Sequence, residues 1–396
     1  APDDGLGLND VWGYGFQVQG TATGSLLLDQ VRLDAPLAVT VTNNNDSGPG
    51  SLRQAIASVA NGGAITFDPG LSGSTIGLTS GPLVISKDIS VEGPAPDGLT
   101  VSGSGVHRVF IIDPGASAHL SHLTIADGYG WQLAGGILNN GQLLLDHVAV
   151  TGNTMATDGG DFWQGGGGIY NGGDSSLFLV DSTVAGNSSG WAGGGIYAYF
   201  GSATTVVRST ISGNTAQDVG GGLRTLSNAN ISNSTISGNT SIGWHGGGAF
   251  ITDGVVSIIN STVTANSAPG GTAGGLFVGT FTDASATLNL QNSVVAANGD
   301  FSCVVVYGAG AVALNSLGNN VFGDATCNPI GSDQVVADAG LAALADNGGP
   351  TLTHALLATS PAVDAANGAA CPAVDQRGVA RPQGAGCDVG AYELVP

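Results

Sequence analysis

A returning phrase constrains this chain more than any other feature. Ser-Thr-Val-Ala-Gly-Asn stands at 182–187, Ser-Thr-Ile-Ser-Gly-Asn at 209–214 and 234–239, and Ser-Thr-Val-Thr-Ala-Asn at 261–266. Degenerate copies lie at 122–128, 148–153 and 293–298. A glycine run followed by an apolar residue falls between them, as in Gly166-Gly167-Gly168-Ile169 and Gly193-Gly194-Gly195-Ile196. Two interleaved phrases sharing a period of about 25–34 residues mean one structural unit stacked on itself.

Inside the phrase the apolar residue is Ile125, Val150, Val184, Ile211, Ile236, Val263 or Val295. Its neighbours point outward on a strand, and no helical spacing is present. The pattern predicts a parallel β-helix with three short strands per turn and about 4.8 Å between turns. Equivalent residues then stack. Ile and Val form internal columns, and Asn153, Asn187, Asn214, Asn239, Asn266 and Asn298 form a structural ladder at one corner, where Asn tolerates a sharp bend. A leucine-rich solenoid needs helix-forming segments, which glycine runs do not supply.

Only 9% of residues are charged, and the net charge is −21 with a single lysine. Nucleic acid is excluded as a partner, because phosphate contacts need clustered Lys and Arg. No apolar stretch is long enough to span a membrane. The chain starts at Ala1 and reads as processed or trimmed. Cys303, Cys327, Cys371 and Cys387 all lie in the last quarter. They allow three pairings, of which the local pair Cys303–Cys327 with Cys371–Cys387 is simplest. Disulfides imply an oxidising, secreted or cell-surface setting.

Four segments follow. Residues 1–36 lack the repeat and read as two orphan strands resembling the end of a jelly-roll carbohydrate-binding module. Residues 37–106 open the solenoid, and Leu52, Ala55, Ile56 and Val59 after Ser51 predict an amphipathic helix capping its end. Regular coils occupy 107–299, and a disulfide-stapled end occupies 300–396.

The opening Val41-Thr-Asn-Asn-Asn-Asp-Ser-Gly-Pro-Gly-Ser-Leu-Arg-Gln-Ala-Ile56 and the repeated phrases resemble bacterial right-handed parallel β-helix proteins. The ending, from Leu344-Ala-Asp-Asn-Gly-Gly-Pro to Asp375-Gln-Arg-Gly-Val-Ala-Arg and on to Glu393, is similar to the choice-of-anchor Q domain. The resemblance implies a right-handed, all-β solenoid that is secreted or surface-attached. It brings no catalytic residues, and fold alone does not give function.

Trp131, Trp163, Trp191 and Trp244 occupy the same loop of four coils. Just past the glycine run the outward position is Tyr170, Tyr197, Arg224, Phe250 or Phe277. The two rows are expected to line one groove for glycan or a protein partner; the alternative is that the Trp rings fold back over the coil edge and cover apolar strands. Asp158, Asp161, Asp218, Arg224 and His245 are the one cluster with the residue types of a polysaccharide lyase or glycoside hydrolase. Asp158 and Asp161 are also the candidate Ca2+ ligands. Outward Thr183, Thr210, Thr235 and Thr262 form a rank of the kind that orders water on ice-binding solenoids. The expected function is a structural or adhesive extracellular solenoid that contacts glycans through its aromatic edge. Sheet edges at its ends and the strands of 1–36 also point to self-association into a filament or layer. The alternative is catalysis in the same groove.

Overall fold

The computed structural model describes residues 35–94, 98–159, 161, 163–280 and 283–396. The two strands expected in 1–36 lie outside these residues.

Strands of successive coils pair in parallel and in register. Ile125, Val150, Val184, Ile211, Ile236, Val263 and Val295 are direct partners down one ladder. Each is at most 1% exposed. Burying one branched apolar side chain per rung is what holds each coil on the next. The ladder containing the Ser-Thr phrase has eleven strands.

Each middle coil carries four strands rather than the three expected. Ile169–Asn171 follows the glycine run, and Ser176–Val180 forms a longer face. Thr183–Ala185 is the phrase, and Ser188–Ser189 adds a short fourth ladder just past the Asn corner. The extra ladder exists because the chain stays extended after the corner: Ser188 N donates to Asn153 O at 2.8 Å and Thr215 N to Asn187 O at 2.9 Å.

Helix α1, Leu52–Ser58, starts where the Ser51 hydroxyl accepts from Gln54 N. It buries Leu52, Ala55 and Ile56 in the same core as Val41 and Ile65. At the far end the parallel ladders run on past 299 through Phe301–Val306, Val312–Ser316 and Val321–Phe322. The cysteines pair locally, Cys303 with Cys327 and Cys371 with Cys387.

The chain then folds back over the phrase ladder. Gln376 Nε2 donates to Thr210 Oγ1 at 2.8 Å, and Gln376 Oε1 accepts from Thr235 Oγ1 at 2.7 Å. Ala391 N donates to Thr262 Oγ1 at 3.1 Å. Val294, Val321, Leu356 and Val389 share a separate apolar cluster at this contact. The threonine rank at 210, 235 and 262 is therefore buried. That removes the flat hydroxyl surface an ice-binding face would need.

Candidate functional site

The Asn corner is a continuous hydrogen-bonded column. Nδ2 of Asn153, Asn187, Asn214, Asn239 and Asn266 each donates to Oδ1 of the next asparagine at 2.9 Å. The same Oδ1 atoms also accept the backbone N–H of the asparagine below. This column fixes where the chain re-emerges, and the loop it launches carries the tryptophans.

Backbone bridges align that loop from coil to coil, Leu133 with Gly165 and Gly165 with Ala192. Asp218 N donates to Trp191 O, and Trp244 N to Asp218 O, both at 2.9 Å. Trp131, Trp163, Trp191 and Trp244 thus lie within two residues of one ladder, along one edge. Trp131 is 52% exposed, Trp163 50% and Trp244 43%, while Trp191 is half-buried.

The second row is not open, which corrects the expected groove. Tyr170, Tyr197, Phe250 and Phe277 are at most 5% exposed. Together with Ala134, Ala192 and Val219 they form an apolar core outside the coil, beneath the loop. Their rings stack rung on rung: Tyr170 on Tyr197 at 5.2 Å, and Phe250 on Phe277 at 4.3 Å. The loop closes this tightly because Gly165 has no side chain. A Cβ there would stand 2.3 Å from Tyr197 Cδ2.

Arg224 fills the gap in the stack. Its guanidinium lies 5.7 Å from the Tyr197 ring and 5.0 Å from the Phe250 ring, and the residue is 5% exposed. Cation–π attraction in a desolvated setting accounts for the charge being tolerated there. Burial pushes the Tyr197 phenol up, with Arg224 opposing. Asp218 is half-buried; burial raises its carboxyl and the Arg224 charge opposes that. His245 is held between the rings of Trp244 and Phe277, at 5.1 Å from each. Its Nδ1 accepts from Thr272 N, and burial lowers its pKa.

Of the five residues expected to form a catalytic cluster, Asp218, Arg224 and His245 sit on this edge. Arg224 faces into the ring stack, however, and has little surface to offer a substrate. Asp158 and Asp161 are exposed loop residues, and the described residues bring no third His, Cys or acid into ligating reach of them.

Two further features escaped the sequence reading. A groove of about 620 Å³ crosses the long-strand face, lined by His119, Leu144, Asp146 and the exposed Phe178. Its floor is the sheet of the long strands, with His119, Leu144 and Phe178 side by side on successive coils. The other is a second corner column immediately before the phrase, where His122, His147, Asp181, Arg208, Asn233, Asn260 and Asn292 all take positive φ. Asparagine directly before Ser-Thr or Ser-Val at 233, 260 and 292 was its sequence signal.

Residues 109–290 match the family described as right handed beta helix region. The fold is a right-handed parallel β-helix. Among solved structures, the β-helix chain is similar to one titled "Crystal structure of pectate lyase Pel9A", at 15% identity and a TM-score of 0.45. The match covers 90% of this chain and 96% of that one. A likeness this distant says nothing of activity. No curated protein matches the chain.

Proposed function

We propose that this chain is a non-catalytic extracellular β-helix that contacts glycan through its tryptophan edge. The observation that carries this is three half-exposed indoles, Trp131, Trp163 and Trp244, on one edge of a rigid stack. Large aromatic faces lose little conformational entropy on contact and suit the apolar faces of sugar rings. The edge is braced from behind: Trp244 stacks on His245, and the ring column of Tyr170, Tyr197, Phe250 and Phe277 is buried beneath the loop. Two disulfides favour an oxidising, extracellular setting. The sparse positive charge favours a neutral glycan over a strongly anionic one.

One observation favours catalysis as a second reading. Asp218, with its carboxyl raised by burial, lies on the same edge between Trp191 and Trp244. A carboxyl raised by burial is a candidate general base. Against it stands Arg224, the nearby cation a uronate would need, held between two rings.

Retention on a panel of immobilised polysaccharides tests the proposal, together with assay for reducing or unsaturated sugars. Glycan contact predicts retention on at least one polysaccharide, weakened about tenfold or more in Trp163→Ala and Trp244→Ala, with no product released. Unchanged retention in both variants contradicts the tryptophan edge. Product release abolished in Asp218→Asn replaces the proposal with the catalytic reading.

A further inference from the structure

At the corner between the long strands and the phrase, every rung turns through a left-handed residue. Asparagine fills the later rungs and is used up in holding the returning chain. Asn233 Nδ2 donates to Val374 O, Asn260 Nδ2 to Ala370 O and Asn292 Nδ2 to Asn367 O. The earlier rungs carry His122, His147 and Asp181 instead. Asparagine would satisfy the same backbone, as it does further along. The imidazoles and carboxylate are therefore not explained by the bend.

These groups converge. The His122 and His147 rings stack at 5.2 Å. Asp146 Oδ1 lies 2.7 Å from His147 Nδ1, and its Oδ2 lies 4.0 Å from His119 Nε2 on the previous coil. That His119 nitrogen is shielded from solvent and has no hydrogen-bond partner. Ligand atoms of Asp146, His147 and Asp181 all lie within 4.8 Å of one another. Grooves open on both sides, one lined by His119 and Asp146 and one by His122, His147 and Asp181.

We propose that Asp146, His147 and Asp181, joined by His119, bind a divalent transition ion such as Zn2+. Zinc takes imidazole nitrogen and carboxylate oxygen at about 2.0–2.2 Å in a tetrahedral arrangement, so donors bridged by it stand about 3.3–3.6 Å apart. The 4.0 Å gap from His119 to Asp146 is a few tenths of an ångström wider than this, and the side chains of Asp146 and His147, 36% and 43% exposed, have room to draw the donors together. Nitrogen donors favour zinc, nickel or copper. Calcium asks for six to eight oxygens, which two carboxylates do not provide. No thiol competes, because all four cysteines are in disulfides. Arg208 currently balances Asp181, donating to its two oxygens at 2.8 and 2.6 Å. An incoming ion has to share that carboxylate with a cation. Removing Arg208 therefore strengthens the site.

Calorimetric titration of the full chain with zinc chloride, and separately with calcium chloride, tests this. The expected result is one saturable zinc site. Zinc binding is at least about tenfold weaker in His147→Ala and Asp146→Asn. It is tighter in Arg208→Asn, which installs the residue used at Asn233. His107→Ala, outside the cluster, leaves it unchanged. Absence of saturable zinc binding overturns the proposal. So does equal affinity in wild type, His147→Ala and Asp146→Asn, or calcium binding as tight as zinc.

Discussion

Asn187 Nδ2 donates to Asn214 Oδ1 at 2.9 Å, and the same oxygen accepts the Asn187 backbone N–H at 3.0 Å. One side-chain atom thus satisfies two buried donors of the coil below. The whole corner repeats this arrangement, so the register of the loop carrying the tryptophans rests on it.

Asn214→Ala removes the oxygen that accepts the Asn187 backbone N–H and one Nδ2–H, while Nδ2 keeps its bond to Val150 O. Each unsatisfied buried donor costs about 1–3 kcal/mol, so a loss of about 2–5 kcal/mol is expected in denaturant unfolding. Asn298→Ala, at the partly exposed end of the column, is expected to cost less.

Gly165→Ala forces a methyl group to within 2.3 Å of Tyr197 Cδ2 and 2.5 Å of Ala192 O. Overpacking of this kind costs about 1–3 kcal/mol. Gly159→Ala, on the same loop with nothing within 4 Å, is expected to be near neutral. Thermal melting of the pair compares them directly.

Arg224→Met keeps the volume of the stack and removes the charge, so its stability is expected to stay within about 1.5 kcal/mol of wild type. Arg224→Ala opens a cavity between Tyr197 and Phe250 and is expected to cost about 2–4 kcal/mol. Glycan retention is unchanged in Arg224→Met. Loss of retention there, with the melting temperature intact, would show that substrate reaches the guanidinium.

His354 is 6% exposed and clamps the returning chain to the phrase ladder, its Nε2 2.8 Å from Ser237 Oγ and its Nδ1 2.7 Å from Ala342 O. Burial lowers its pKa, as it does for His245. The folded state thus holds fewer protons than the unfolded chain once pH falls below about 6.5. Stability is level above that pH and declines below it. Burial raises Asp388 and Glu393, which work in the opposite direction but nearer the carboxylate range. Urea midpoints between pH 7.5 and pH 5 are expected to fall, and to fall less in His354→Gln.

The stack was legible because its period is written in the chain: Ile211 and Ile236 repeat in phrase, and their strands pair in register. The helix α1 and its buried face followed from the spacing of Leu52, Ala55 and Ile56. The aromatic row was harder. Outward alternation correctly placed Tyr197 and Phe250 on the outer side of their strands. Nothing local told that the loop at Gly165 closes over them, because that contact joins different coils. The burial of Thr210 and Thr235 was hidden for the same reason, since Gln376 arrives from more than a hundred residues away. The His122 and His147 corner stayed unread because the imidazoles replace the asparagines that mark the column elsewhere.

The central claim is that the exposed indoles are the contact surface. Tryptophan fluorescence, titrated with whichever polysaccharide retains the protein, tests it most directly. A saturable spectral shift is predicted for wild type, and its loss in the triple variant Trp131→Ala, Trp163→Ala, Trp244→Ala with the melting transition preserved. The same shift at the same affinity in that variant would contradict the claim.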